Sequence, residues 1–323
     1  MVDSSGRLLY SAGDPGLVTY LRSAAKPIQA LPIVESGAAD RFGLTSAELA
    51  AACSSHNAEP GQRDTILGLL RKIGLKESYL KCGTHTPLDK ETAAQLIREG
   101  KKPSPIHSNC SGKHAGMLAM TVHLGFPQEG YRQPRHELQQ MILETMAEVT
   151  GVPRDQIVIG VDGCGVPVFG IPVRNMAYGY ARLVDPARLP ESKREAARRI
   201  VDAMQSHPDL IAGKSKLDTD LMKVAGRKLV AKSGFEGVYC VGLFPGVAKT
   251  PGIDPELGIG VAVKAEDGST RASYTAAVEA LRQLGALNDE ELATLARYAR
   301  PAVKNFHGEV CGEIRATFEL RPV

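Results

Sequence analysis

The chain contains no tryptophan, and aromatic residues make up only 5% of its 323 positions. With so few stacking side chains and a net charge of only +3, it lacks both the basic groove and the base-stacking platform of a nucleic-acid binder. No apolar run approaches the ~20 residues needed to span a bilayer. The opening Met-Val-Asp-Ser-Ser-Gly-Arg-Leu-Leu-Tyr carries no apolar core of a secretory signal, so a cytoplasmic protein is expected. Six cysteines in so long a chain are too few for a disulfide framework and read instead as buried thiols, metal ligands or reactive groups. The stretch Asp162-Gly-Cys-Gly-Val-Pro167 is glycine-rich but matches neither G-x-G-x-x-G nor G-x-x-x-x-G-K-[ST], which argues against a phosphate cradle. There is no internal repeat and no linker, so residues 1–323 read as one domain.

With 43% hydrophobic and 23% charged residues the chain is long enough, and apolar enough, to bury a sizeable core. Arg7–Tyr10 alternates like a strand, and Gln156–Val161, Val238–Leu243, Leu257–Lys264 and Gly308–Leu320 read as further strands. Helical periodicity marks Glu59–Ile73, Lys90–Arg98, Pro134–Val149, Val173–Leu183, Pro190–Gln205, Thr219–Val224 and Tyr274–Leu284. Thr45 followed by Glu48 has the form of a capping box. Strands at both ends with helices between them indicate an α+β fold and not a βαβ repeat.

The stretch around which the chain is organised is Tyr20–Pro32, centred on Ser23-Ala-Ala-Lys26. Pro27 is tolerated only near a helix start, so Ser23 and Lys26 fall on one face of a first turn, close enough for the amine to take the hydroxyl proton. The positive end of the helix favours the alkoxide and the neutral amine that such chemistry requires. Ser78-Tyr-Leu-Lys81 has the same spacing, so the pattern alone is not decisive. Two further motifs follow in order, Ser55-His-Asn57 and Lys232-Ser-Gly234. Serine acyl-enzymes of the β-lactamase and penicillin-binding class carry S-x-x-K, S-x-N and K-[ST]-G in this sequence. There the first serine attacks, the second relays a proton, and the strand lysine presents positive charge while strand-edge N–H groups can serve an oxyanion. The alternative is three coincidences among common residue types.

Nearly the whole chain resembles the Rhizobium-type L-asparaginases. The resemblance rests on Leu21-Arg-Ser-Ala-Ala-Lys-Pro27, Cys53-Ser-Ser-His-Asn-Ala-Glu59, Cys82-Gly-Thr-His-Thr-Pro87, Asn109-Cys-Ser-Gly-Lys-His-Ala-Gly116, Val161-Asp-Gly-Cys-Gly-Val-Pro167 and Ala231-Lys-Ser-Gly-Phe-Glu-Gly237. It implies a β-lactamase/glutaminase-like α+β fold, a mainly antiparallel sheet packed with helices. It also implies hydrolysis of L-asparagine to L-aspartate and ammonia, a homodimer, and two Ser–Lys pairs, Ser23 with Lys26 and Ser55 with Lys232. A zinc ion held by Cys110, Lys113 and Cys164 is implied as well. Thiolates are natural zinc ligands. Lysine must bind as the neutral amine, and on chemistry alone His107 or His114 would be the more usual third ligand.

Cys53, Cys82, Cys240 and Cys311 have no such partner and read as core. Asp162 reads either as a group orienting the cavity or as a turn residue. Arg22 and His56 adjoin the two serines and are candidates for the substrate carboxylate, or simply face solvent. Competing functions are a zinc hydrolase in which metal-bound water attacks and a non-catalytic module that binds a β-lactam or an amide. Relatives of this kind carry a further strand ahead of the segment matching Asp3–Ala12. Either the start is placed too far downstream or the strand is missing; in the second case Arg7–Tyr10 is expected to be a sheet edge, and an upstream extension to add stability.

Overall fold

The computed structural model describes all residues, Met1–Val323. Its elements in chain order are β1 (Val2–Asp3), β2 (Val18–Tyr20), α1 (Lys26–Glu35), α2 (Ala38–Arg41), α3 (Ser46–Ala52), α4 (Pro60–Lys72), α5 (Lys90–Arg98), α6 (Ser111–Leu124) and α7 (Glu137–Thr150). They continue with β3 (Val158–Val161), β4 (Pro167–Pro172), α8 (Val173–Val184), α9 (Glu191–Ser206), α10 (Pro208–Ile211), α11 (Leu217–Ala225), β5 (Leu229–Gly234), β6 (Val238–Leu243), β7 (Ile259–Lys264) and α12 (Thr270–Gln283). A last hairpin joins β8 (Ala302–Lys304) to β9 (Val310–Glu313).

The architecture is α+β, with antiparallel sheets packed against helices. The main sheet has the order β1-β7-β6-β5 and a smaller one the order β2-β4-β3. β6 is buried along its whole length, as expected of Val-Tyr-Cys-Val-Gly-Leu in an interior strand. Helix α8 lies across β6 and β7. That contact depends on glycine, because a Cβ at Gly260 would stand 1.6 Å from the Ala177 carbonyl oxygen. On the other side α1 is enclosed by α6, α7 and α9, and nine of its ten residues are buried, so its apolar run Ile28–Val34 needs no polar face. Pro32 is accommodated within this helix.

Three expectations are corrected. Arg7–Tyr10 is not a strand: Leu8 and Tyr10 make isolated bridges to Val2 and Pro322, and Asp3 draws the chain into a turn by accepting from the Ser5 and Arg7 N–H groups. The edge position beside β7 is instead held by Val2 and Asp3, opposite Gly260 and Ile259. Gly308–Leu320 yields only β9, which pairs with β8 and stays exposed, away from the main sheet. Cys311 therefore faces solvent and is not a core thiol, whereas Cys53, Cys82 and Cys240 are buried as expected.

Candidate active site

Thr45 and Glu48 form the expected reciprocal cap at the start of α3. The helix ends at Ala52, and the following loop buries Ser54 and His56 with the half-buried Ser55 between them. Opposite it, Arg22–Ala25 make a short 3-10 turn that runs directly into α1, with the Lys26 N–H bonded to the Ser23 carbonyl. In that geometry side chains three apart eclipse, so Ser23 and Lys26 share a face. The residue before the serine, Arg22, has φ of 54°, a left-handed conformation that a non-glycine residue adopts only at a cost of about 1–3 kcal/mol and that collects at functional sites.

Lys26 is the hub. Fully buried, its Nζ lies 2.5 Å from the Ser54 carbonyl, 2.9 Å from Ser55 Oγ and 3.3 Å from the Asn109 carbonyl. No carboxylate joins it. Burial is the main cause that lowers its pKa, and the Lys113 and Lys232 charges add to this against an opposing pull from Cys110. Two carbonyls and one hydroxyl accept its N–H bonds, and with no anion among these partners nothing in contact offsets the cost of burying the charge.

The expected pairing of the serines changes. Lys26 is bonded to Ser55 and not to Ser23, whose side chain makes no hydrogen bond. Lys232 does not reach Ser55: its Nζ donates to the Ser233 carbonyl at 3.0 Å and lies 3.4 Å from Asp218 Oδ1. The cause is local, because Asp218 on α11 packs against β5 and also takes the Ser233 N–H at 2.5 Å. That strand N–H is thus committed and is no oxyanion donor. The next turn residue, Phe235, has an N–H without a partner. Ser78 and Lys81 meet only through the Ser78 carbonyl at an exposed position, which leaves Ser23-x-x-Lys26 as the buried one of the two matching motifs.

His56 does not face solvent. It is fully buried, its Nδ1 accepts the Ala58 N–H at 3.0 Å, and its Nε2 therefore carries the proton toward Ser111 Oγ at 2.7 Å. Burial foremost, followed by the Lys26 charge, pushes its pKa down to about 3. His114 is likewise buried, bonded to the Tyr131 hydroxyl at 2.6 Å and held well below its ordinary range by burial. A group depressed in this way binds fewer protons folded than unfolded, so its contribution to stability is present above pH 6.5 and fades as pH falls toward about 3. The expected result is acid unfolding across that window, weakened in His56→Gln. Unfolding free energies measured as a function of pH check it.

The second half of the site lies where α6 begins. Cys110 caps that helix, and the ligand atoms of Cys110, Asp162 and Cys164 all lie within 4.8 Å of one another. Lys113 Nζ is 3.1 Å from Cys164 Sγ and 3.7 Å from Asp162 Oδ2. Arg22 Nε approaches the other oxygen of Asp162 at 3.1 Å, so Asp162 links the strained turn to the cysteine cluster and is not merely a turn residue. A hydrogen bond from Cys164 chiefly holds the Cys110 thiol well below its usual range, with help from Lys26 and Lys113, while Cys164 is raised. Burial would lower the Lys113 pKa, but Cys110, Cys164 and Asp162 together raise it. His107 is engaged elsewhere, with Ser104 and Arg63.

A model of the family described as L-asparaginase II matches residues 1–316. The chain belongs to that family. As an L-asparaginase it is an enzyme that acts on the small-molecule substrate L-asparagine. No curated protein matches the chain. No helix is long and apolar enough to cross a membrane.

Two residues of this asparaginase site were not evident from sequence. Asp218 resembles any acidic residue in a first helical turn. His85 lies in a stretch that carries the family resemblance but had no assigned role; its Nε2 accepts the Asn109 N–H at 2.9 Å, fixing the loop whose carbonyl meets Lys26.

Proposed function

We propose that the asparagine amide is hydrolysed through a serine acyl-enzyme with Lys26 as the base. The observation that carries this is the buried Lys26 amine, whose partners are two carbonyls and a serine hydroxyl with no carboxylate among them. Ser23 Oγ attacks the side-chain carbonyl, and its proton passes by way of Ser55 to Lys26. The carbon–nitrogen bond breaks, the leaving nitrogen takes the proton held by Lys26, and ammonia departs. Water then attacks the aspartyl ester, Lys26 accepts its proton, and Ser23 regains one as aspartate leaves. The free Oγ of Ser23, next to the strained Arg22, favours it as nucleophile. A second reading, in which Ser55 attacks, is favoured by its 2.9 Å bond to Lys26. In this reading Arg22 serves the substrate's own carboxylate and Asp162 its ammonium group, the two side chains being 3.1 Å apart in the free enzyme.

Because the base must be neutral, kcat/KM should rise with pH as Lys26 loses its proton, in a range below its ordinary 10.5. A profile flat between about pH 6 and pH 9 would count against a lysine base.

The donor set fits zinc: two thiols and an amine converge, with a carboxylate beside them. In this reading Cys110, Lys113 and Cys164 hold the ion, with Lys113 giving up its proton on binding, and Asp162 stays hydrogen-bonded at its rim. When bound, the ion supplies positive charge that orients the substrate and lowers the pKa of nearby groups. One zinc per chain is the expected elemental analysis, lost in Cys110→Ser and Cys164→Ser, with KM rising more than kcat falls. Protein purified without chelator and found free of zinc would remove the site from this account. A cytoplasmic homodimer belongs to the same reading.

A further inference from the structure

Lys232 and Asp218 form a pair enclosed on all sides, both side chains being 0% exposed. The groups facing Lys232 from the surrounding elements are Cys53 beyond the end of α3, Cys240 on the neighbouring strand and the Lys26 amine. Burial pushes the Cys53 and Cys240 thiols up to about 12, so neither supplies an anion. Asp218 is likewise faced by the hydroxyls of Tyr180, Tyr239 and Tyr274, all raised above their usual range first by burial. Asp218 is thus the one anion in reach of Lys232, and its Oδ1 is shared between Nζ and the Ser233 N–H. Its Oδ2 and the Tyr239 hydroxyl have no partner, and the other groups bonded to Lys232, the Ser233 carbonyl and hydroxyl, are uncharged. The two buried lysines differ in one respect: both meet carbonyl and hydroxyl oxygens, but a carboxylate stands beside Lys232 alone.

We propose that Asp218 is a positioning residue that keeps Lys232 as a fixed ammonium on β5, so that the two lysines divide the work: Lys232 provides charge and Lys26 alone exchanges protons. A buried ammonium without its counter-ion would release its proton. The Lys232 charge also acts on Lys26, which faces Cys110, Cys164 and Lys113 as well, and it is among the charges that lower the Lys26 pKa. This inference rests on the acyl-enzyme reading for its kinetic consequence but not for the charge state itself.

The test begins with the unmodified enzyme carrying 15N at the lysine side-chain nitrogens, with the Lys232 signal assigned by its loss in Lys232→Met. An ammonium signal for Lys232 at a pH where Lys26 has lost its proton is expected, and a neutral Lys232 amine would overturn the proposal. In Asp218→Asn the Lys232 signal should become that of a neutral amine. With that charge gone, the acid limb of the pH–rate profile should move up by about one pH unit while kcat falls at least about tenfold. Asp218→Glu should restore both. A fall in kcat with the acid limb unmoved, or moved to lower pH, would mean that Asp218 serves packing only. Should Asp218→Asn fail to fold, the signal of the unmodified protein decides. If that protein does not hydrolyse asparagine the mechanism falls, yet the Lys232 charge state is still read directly.

Discussion

Ser23→Ala should lower asparagine turnover by more than about 1,000-fold while leaving the fold in place. The Ser23 side chain is nearly enclosed but makes no hydrogen bond, so its hydroxyl can be removed for less than about 1 kcal/mol of stability. Nothing in the packing of the 3-10 turn requires that oxygen, because the turn is closed by backbone bonds from Ala24 to Leu21 and from Lys26 to Ser23. Its loss is felt only in chemistry. Ser55→Ala should also be impaired, since it takes away the hydroxyl bonded to Lys26, but it should retain more activity because water can bridge the gap. Steady-state kinetics with circular dichroism on both variants check this. A folded Ser23→Ala enzyme with near-normal turnover would transfer the nucleophile to Ser55.

The second large effect concerns the contact that builds the site. Gly112 lies between Ser111 and Lys113 on α6, and a Cβ there would stand 2.0 Å from the Ala51 carbonyl oxygen and 3.1 Å from Ser54 Oγ. One turn further, a Cβ at Gly116 would meet Ile33 Cδ1 at 2.6 Å. Glycine at these positions lets α6 lie directly on the end of α3 and on α1, and that approach sets the Asn109 carbonyl against Lys26. Gly112→Ala must push the helices apart or strain the loop after α3, at a cost of about 3 kcal/mol. The melting temperature should fall, and the folded fraction should lose turnover because Cys110 and Lys113 move with the helix. An unchanged melting temperature would show that the neighbouring backbone yields easily.

How much of this was legible in the sequence varied with the kind of signal. The capping box at Thr45, the buried strand Val238–Leu243 and the long amphipathic helices were evident, because each is set by local chemistry. The C-terminal alternation over Gly308–Leu320 was misleading: alternation reports a strand-compatible pattern, but whether a sheet receives it depends on partners distant in the chain. At the site, residue types in order identified Ser23, Lys26, Ser55 and Lys232, yet not which side chains touch. Lys26 turns to Ser55 because the loop after α3 comes back over it, and Lys232 turns to Asp218 because α11 packs on β5. Neither crossing leaves a mark in local sequence. His56 adjoins Ser55 in the sequence, but whether such a neighbour reaches solvent is set by the fold, which here buries the ring against Ser111.

The most direct test of the central claim is to quench the enzyme in acid during steady-state turnover of L-asparagine and map the covalent species by mass spectrometry. The account predicts a mass increase of one aspartyl group on the peptide containing Ser23, absent in Ser23→Ala. Turnover with no covalent species at any time, abolished by a zinc chelator, would contradict it and assign the attack to metal-bound water.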